Sequence, residues 1–522
     1  MADLTWNVTN FLLLVLVPGV LFWVFKRRHA HGLFRRPGIP GPSPELLWGN
    51  WNQLKKDRLQ VMQQWIDRYG KVFGFFMAEK PCMVVTDLDL VRQIFEKEAH
   101  TFTDRPQVAL EVEPYTSSLA FLRGEEWKKV RTVLNATVTA SKVNRCSGIV
   151  SGCAKELLRA LDRHQKRDEL VDIMDVAQGY SLDVITKCAL AWKVNCQQKS
   201  DDTLLLGLRR TFEDFDSTVI ESTLALPGIR SILKRIYPFT SVSKMFRRIA
   251  ENVRDTIKKR RLGQSPREDD MLQMLLDAQA GVEDKTYNAQ RSGLLIEDRH
   301  VIANSIVLLI AGFETTAMVI GFTLYLLATH PEEQEKVHSE IDTVLPYDDE
   351  ISLDSIQNLK RLDMVINETL RLYPALPIMI ARVCPRDMTM RDQFIPAGTS
   401  VFAPAWHIHR DPESWPEPSR FLPDRFAEEH PERHSLAFIP FGLMPRYCFG
   451  KRLALLEVRM ALCAILRKYR VIPSEETVNP ISVTVPSVTL RPVGGIKLKF
   501  ENKADRSINT FRGQSDVKRV SE

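Results

Sequence analysis

Residues 441–450 read Phe441-Gly442-Leu443-Met444-Pro445-Arg446-Tyr447-Cys448-Phe449-Gly450, a turn-rich loop with one cysteine near its end. Apolar residues then recur at helical spacing from Lys451 to about Tyr469, through Leu453, Leu456, Met460 and Cys463 or Ala464, with Arg467 in the last turn. A cysteine at the start of such a helix feels the positive end of its dipole and the unpaired backbone N–H groups. Both favour thiolate over thiol. A thiolate in an aromatic-walled loop is what an axial iron ligand needs, whereas a lone cysteine is otherwise most often a buried core thiol.

A second chemical constellation interrupts the stretch Asp298–Thr329, the most apolar part of the chain beyond its N-terminus. The small pair Ala311-Gly312 precedes Glu314, Thr315 and Thr316. An acid and two hydroxyls in an apolar wall form a polar notch that can carry water and protons to a bound ligand. The stretch is long enough to span a membrane, but a carboxylate at its midpoint is costly in lipid. It reads as a buried helix ended by His330-Pro331. Elsewhere, Trp127 and Arg131 share a helix face at i, i+4. Glu368 and Arg371 form an i, i+3 pair, worth little if exposed.

In combination these patterns resemble the cytochrome P450 superfamily over about residues 35–500. The loop with Phe441, Arg446, Cys448 and Gly450 resembles its haem loop, and Ala311-Gly312-Phe313-Glu314-Thr315-Thr316 its oxygen-activation motif. Closer similarity, carried by Arg382-Val383-Cys384 and the stretch from Ala311 to Thr316, is to vertebrate family-three and arthropod detoxifying enzymes. The resemblance implies a mainly α fold with a small β region and haem b (iron protoporphyrin IX) between the Asp298–Thr329 helix and the Cys448 loop. Cys448 would be the axial iron ligand, with Phe441 and Gly450 in the cofactor cradle. Trp127, Arg131, Arg382 and Arg446 would meet the haem propionates. Glu314 and Thr315 would organise protons, and Glu368 and Arg371 would lock to Arg425 beneath the haem. Met444 stands where the family normally has glycine. A glycine there suits a turn needing positive φ, which strains a residue bearing a side chain.

The elements that must position these groups are legible at coarse grain. The chain has 522 residues, 44% hydrophobic, enough for a sizeable core. Lys and Arg number 71 against 65 Asp and Glu, and the excess of +6 does not indicate nucleic acid. Eight cysteines without regular pairing point to reduced thiols facing the cytosol. Residues 1–28 read as one uncleaved transmembrane helix, because the basic cluster follows the apolar run. Residues 29–44 form a basic, proline-rich hinge. Residues 45–500 form the catalytic domain, and 501–522 are expected to be a disordered tail.

A β-hairpin is expected over 69–86, with Asp87 capping the next helix. Thr218 to Phe246 suits either an amphipathic core helix or a membrane-facing roof. Ser487–Leu490 and Gly495–Phe500 are expected to form a small terminal sheet. Largely apolar regions, 108–121, 218–240, 376–379 and 483–489, imply a lipophilic substrate.

The family resemblance implies an endoplasmic reticulum monooxygenase, its catalytic domain cytosolic, taking electrons from NADPH-cytochrome P450 reductase, with cytochrome b5 as a second donor. Lys128, Lys129, Lys451, Arg452 and Lys468 form a candidate basic docking face. Two alternatives share the Cys448 loop. One is a haem-thiolate isomerase or dehydratase, usually marked by loss of the acid–threonine pair; the other is a degenerate haem-binding non-enzyme.

Overall fold

The computed structural model describes residues 2–106, 112–199, 201–213, 230–280, 296–346, 350–427 and 434–503, without the side chains of 2–13 and 15. The candidate substrate segments 108–111 and 218–229, and 504–522 of the expected tail, lie outside the described residues, while Glu501 and Asn502, expected in that tail, are paired in a strand with Arg470 and Tyr469. The fold is mostly helical with small sheets. Helix α1 (Ala2–His31) leads the chain. Its exposed apolar residues include Leu14, Leu16, Leu21, Phe22 and Phe25, while its last turn is tied down by His31, hydrogen-bonded to the Ala78 carbonyl at 2.8 Å.

The hairpin forms as the alternation predicts, β1 (Val72–Met77) against β2 (Lys80–Val85), in register Val72↔Val85. Asp87 caps the following helix by accepting the Leu90 N–H at 2.8 Å. Next come α2 (Gly124–Thr137), α3 (Ser147–Gln165), the short β3 (Val171–Asp172), α4 (Ile173–Leu190), α5 (Thr203–Glu213) and α6 (Ser241–Arg261).

Helix α7 (Asp298–Thr329) has the bounds its apolar run predicts. It is long and apolar enough to cross a membrane, yet it is mostly buried in protein, so it is the central core helix. It packs closely on α4, where a Cβ on Gly312 would sit 2.8 Å from Ile185 Cγ1. The smallness of Gly312 thus lets α4 and α7 pack closely beside the Glu314-Thr315 pair.

Helix α8 (Lys360–Leu372) leads to β4 (Ala381–Val383), the hairpin β5 (Met388–Met390) and β6 (Gln393–Ile395), and β7 (Ser400–Phe402). Strand β7 joins β4 to the first hairpin, giving the order β1-β2-β7-β4. After α9 (Lys451–Lys468), β11 (Lys497–Asn502) pairs on one side with β8 (Tyr469–Pro473) and on the other with β3, and β9 (Val483–Thr484) pairs with β10 (Arg491–Pro492). The terminal sheet thus departs from expectation in one segment. Ser487–Leu490 is bent rather than a strand, its Leu490 N–H donating to Ala375 instead of a ladder neighbour.

Candidate functional site

The 441–450 loop closes on itself, with the Cys448 N–H donating to the Phe441 carbonyl at 2.8 Å. The left-handed residue in this turn is Gly442, at φ 75°, and Met444 is not at positive φ. Met444 is exposed and lies in a turn. The expectation that position 444 needs glycine is therefore corrected. Gly450 caps α9 at φ −81°, a conformation any residue adopts. A Cβ there would meet nothing nearer than Cys448 Sγ, at 4.0 Å, so a small residue keeps the space beside that sulfur open.

Cys448 is reachable from solvent, unlike the other seven cysteines, all free and buried. Yet burial by its surroundings pushes its thiol pKa up, against the Gly450 N–H and the charges of Arg131, Arg105 and Lys451. A group both reachable and enclosed lines a cleft. Desolvation opposes the helix start, and a cation at sulfur favours the thiolate.

Around this loop four guanidiniums converge. Arg446 is buried and donates to the carbonyls of Thr103, Leu119 and Leu122 at 2.8, 3.1 and 2.8 Å, and pairs with Asp104 at 3.3 Å. Arg131 donates to the Tyr447 carbonyl at 3.0 Å, and Arg382, in the middle of β4, to that of Leu443 at 2.9 Å. Arg105 donates to the Arg446 carbonyl at 3.0 Å. Desolvation, then repulsion from neighbouring arginines, pushes the pKa values of Arg382 and Arg446 down to about 9. Three donors remain buried without a partner: Trp127 Nε1, Arg131 Nη2 and Arg382 Nε. Unpaired buried donors beside clustered cations are unfavourable unless an anion joins them. A cofactor carrying carboxylates and a metal seeking sulfur fits this donor set.

In the middle of α7 the less buried positions are Val307, Ile310, Ala311, Gly312 and Thr315; all but Gly312 fall at i, i+3, i+4 and i+8, so one face opens to a cleft. The Thr315 hydroxyl donates to the Ala311 carbonyl at 2.6 Å. Helix α7 and the 441–450 loop are linked through the segment around Leu119. Asn304 of α7 accepts the Leu119 N–H at 2.8 Å, while Arg446 binds the Leu119 carbonyl.

The family model for Cytochrome P450 matches residues 39–500. The chain belongs to the cytochrome P450 family. It is similar to human Cytochrome P450 3A5, 31% identical over 500 residues, covering 94% of this chain and 96% of that protein. It is 32% identical to human Cytochrome P450 3A7 over 476 residues (90% and 92%). Rabbit (Oryctolagus cuniculus) Cytochrome P450 3A6 is 31% identical over 482 residues (91% and 93%). The protein is a monooxygenase whose cofactor is haem.

In this P450 the predicted scaffold residues also meet. Arg371 grips Glu368 with two hydrogen bonds of 2.7 Å, both side chains fully buried, and Arg425 lies 3.5 Å from Glu368. Glu314 and Thr315 are neighbours in sequence but lie on different helix faces. Buried Glu314 accepts from Gln178 of α4 at 2.9 Å and pairs with Arg491 of β10, also at 2.9 Å. Sequence reasoning missed Arg105, Gln178, Asn304 and Arg491. Arg105 alone had a local signal, its place before Pro106 beside Asp104, and that pattern is too common to single it out.

Proposed function

We propose that this P450 oxygenates a lipophilic small molecule at the cytosolic face of the endoplasmic reticulum. Electrons would come from NADPH through NADPH-cytochrome P450 reductase, with cytochrome b5 as a second donor. The observation that carries the reading is the cleft-facing stripe of α7, apolar except for one hydroxyl at Thr315. When bound, haem supplies the redox centre at which dioxygen is split, one atom entering substrate and the other leaving as water.

The chain's own residues then have distinct tasks. Cys448 holds the iron as thiolate, and Gly450 and Phe441 shape the space beside it. Trp127, Arg131, Arg382 and Arg446, with Arg105 added from the geometry, take the two propionates. Val307, Ile310 and Ala311 exclude water and present an apolar wall to substrate. Thr315 accepts and passes protons by turning its hydroxyl away from the Ala311 carbonyl. Glu314 supplies them from behind that face, burial holding its carboxyl above the ordinary range.

Residues 1–28 would anchor the protein and 29–44 form the hinge. The helix Arg230–Ile236 supports a second membrane contact, because Ile232, Ile236 and the nearby Phe239 are exposed beside Arg230, Lys234 and Arg235. Of the proposed docking charges, Lys128 and Lys468 are paired with Glu125 and Asp162, each at 2.6 Å, leaving exposed Lys129, Lys451 and Arg452 as the stronger candidates.

Two variants test the reading. Cys448→Ser should abolish the red-shifted band of the reduced CO complex. Thr315→Ala should retain that band and consume NADPH with a reductase, but yield less oxygenated product and more hydrogen peroxide. Unchanged product per NADPH would refute the proton role. Product formation by the wild type without NADPH or oxygen would mark an isomerase instead.

A further inference from the structure

The geometry points to Arg491 as a positioning residue that sets the placement and charge of the Glu314 carboxylate, and so the efficiency of proton delivery to the cleft. This rests on the proposed role of Glu314 and Thr315 as the proton-delivering pair. Glu314 is 1% exposed. Its two oxygens are held from different directions. Gln178 Nε2 donates to Oε2 at 2.9 Å. Gln178 is itself fixed by Arg209 of α5, whose Nε donates to Gln178 Oε1 at 2.7 Å while the guanidinium pairs with Asp175 at 2.9 Å. Arg491 Nε lies 2.9 Å from Oε1, yet its N–H does not point at that oxygen. The first hold is an aligned hydrogen bond fixed at both ends; the second is a charge contact that tolerates rotation of the carboxylate.

The element carrying Arg491 differs in stiffness from the one carrying Glu314. The β9–β10 ladder has two residue pairs, Arg491↔Thr484 and Pro492↔Val483, and Gly494 and Gly495 follow at positive φ. So short a ladder opens locally far more easily than the middle of a buried helix. Arg491 also lies over the Phe212 ring of α5 at 5.6 Å, and Phe212 packs on Phe313, the residue before Glu314. A shift of α5 or of the β9–β10 hairpin therefore changes the charge contact first and the Gln178 bond second. Burial pushes the Glu314 pKa up, while Arg491, Gln178 and Arg209 pull it down. Loss of Arg491 moves it further up, leaving a neutral carboxyl that gives up protons less readily.

The experiment uses full-length, haem-loaded protein with reductase and compares wild type, Arg491→Gln, Arg491→Lys, Glu314→Gln and the Arg491→Gln/Glu314→Gln pair. Arg491→Gln should keep the CO band and the substrate-induced spectral shift. Its product per NADPH should fall about threefold or more, with matching peroxide, and Arg491→Lys should recover most of the loss. Thermal unfolding without turnover gives the second readout. A carboxyl whose folded pKa lies above its unfolded value loses stability as pH rises through that folded pKa. The midpoint gap between wild type and Arg491→Gln should therefore widen from about pH 5 to about pH 8, and be flat in the Glu314→Gln background. Full coupling in Arg491→Gln, or a gap indifferent to both pH and Glu314, would overturn the inference. A pH-dependent gap together with a fully coupled Glu314→Gln would show the pair to be real and the proton role wrong, and the inference falls with that role.

Discussion

Arg371 should matter more to folding than Glu368, although the two make the same bidentate contact. Replacing Arg371 with leucine strips a fully buried carboxylate of its principal partner, leaving the Leu422 N–H at 3.0 Å and Arg425 at 3.5 Å. Breaking a buried pair in this way costs about 3–5 kcal/mol. Arg371 also donates to the carbonyls of His409, Pro418 and Arg420 at 2.9, 2.7 and 3.0 Å. Each one left without a donor adds about 1 kcal/mol or more. The sum, about 6–8 kcal/mol, reaches the lower range of domain stability. Glu368→Gln leaves those three bonds intact and keeps an oxygen for the Leu422 N–H, so about 3 kcal/mol is expected. Urea unfolding near neutral pH, with the reduced CO band reporting haem loading, measures both. A Glu368→Gln variant less stable than Arg371→Leu, or an Arg371→Leu variant within about 1 kcal/mol of wild type, would refute this account of the triad.

The haem loop gives a paired test: Gly442→Ala, at φ 75°, should cost about 1–2 kcal/mol, whereas Met444→Gly should weaken the loop by about 0.5–1 kcal/mol through chain entropy. Stronger haem retention in Met444→Gly on dilution would restore position 444 as the strained one. Acid sensitivity should follow three buried histidines, His409 with its pKa pushed down to about 3 and His407 and His338 to about 4 by desolvation. His409 faces the Arg371 carbonyl through Nδ1 and accepts the Ile439 N–H at Nε2, so a second proton has no place. Such groups bind protons in the unfolded chain first, so stability should fall as pH drops below about 6.5, with a slope approaching three protons near pH 5. A slope below about one proton from urea melts at several pH values would refute it.

Several features were fixed by neighbours in sequence. The bounds of α7 follow from an apolar run closed by His330-Pro331. The β1–β2 hairpin and the Asp87 cap follow from alternation and a side chain reaching three residues on. The 441–450 loop was identifiable because its residues act within one turn, and Glu368 and Arg371 because i, i+3 spacing places them together in any helix. Tertiary structure decided whatever depends on groups distant along the chain. Position 444 and position 442 look equally in need of glycine until the backbone puts positive φ at one of them. Gly312 reads as a small residue before the acid, and only the fold shows that α4 brings Ile185 against it. The thiol of Cys448 sits at a helix start in either description, but only the enclosing protein makes desolvation the larger effect. Glu314 was visible as an acid in an apolar helix. Its partners, Gln178 from 136 positions earlier and Arg491 from the last hairpin, share no local pattern with it. Burial of a charge demands a counter-charge without specifying where along the chain it comes from, and only the packed arrangement of α4, α7 and β10 supplies that answer.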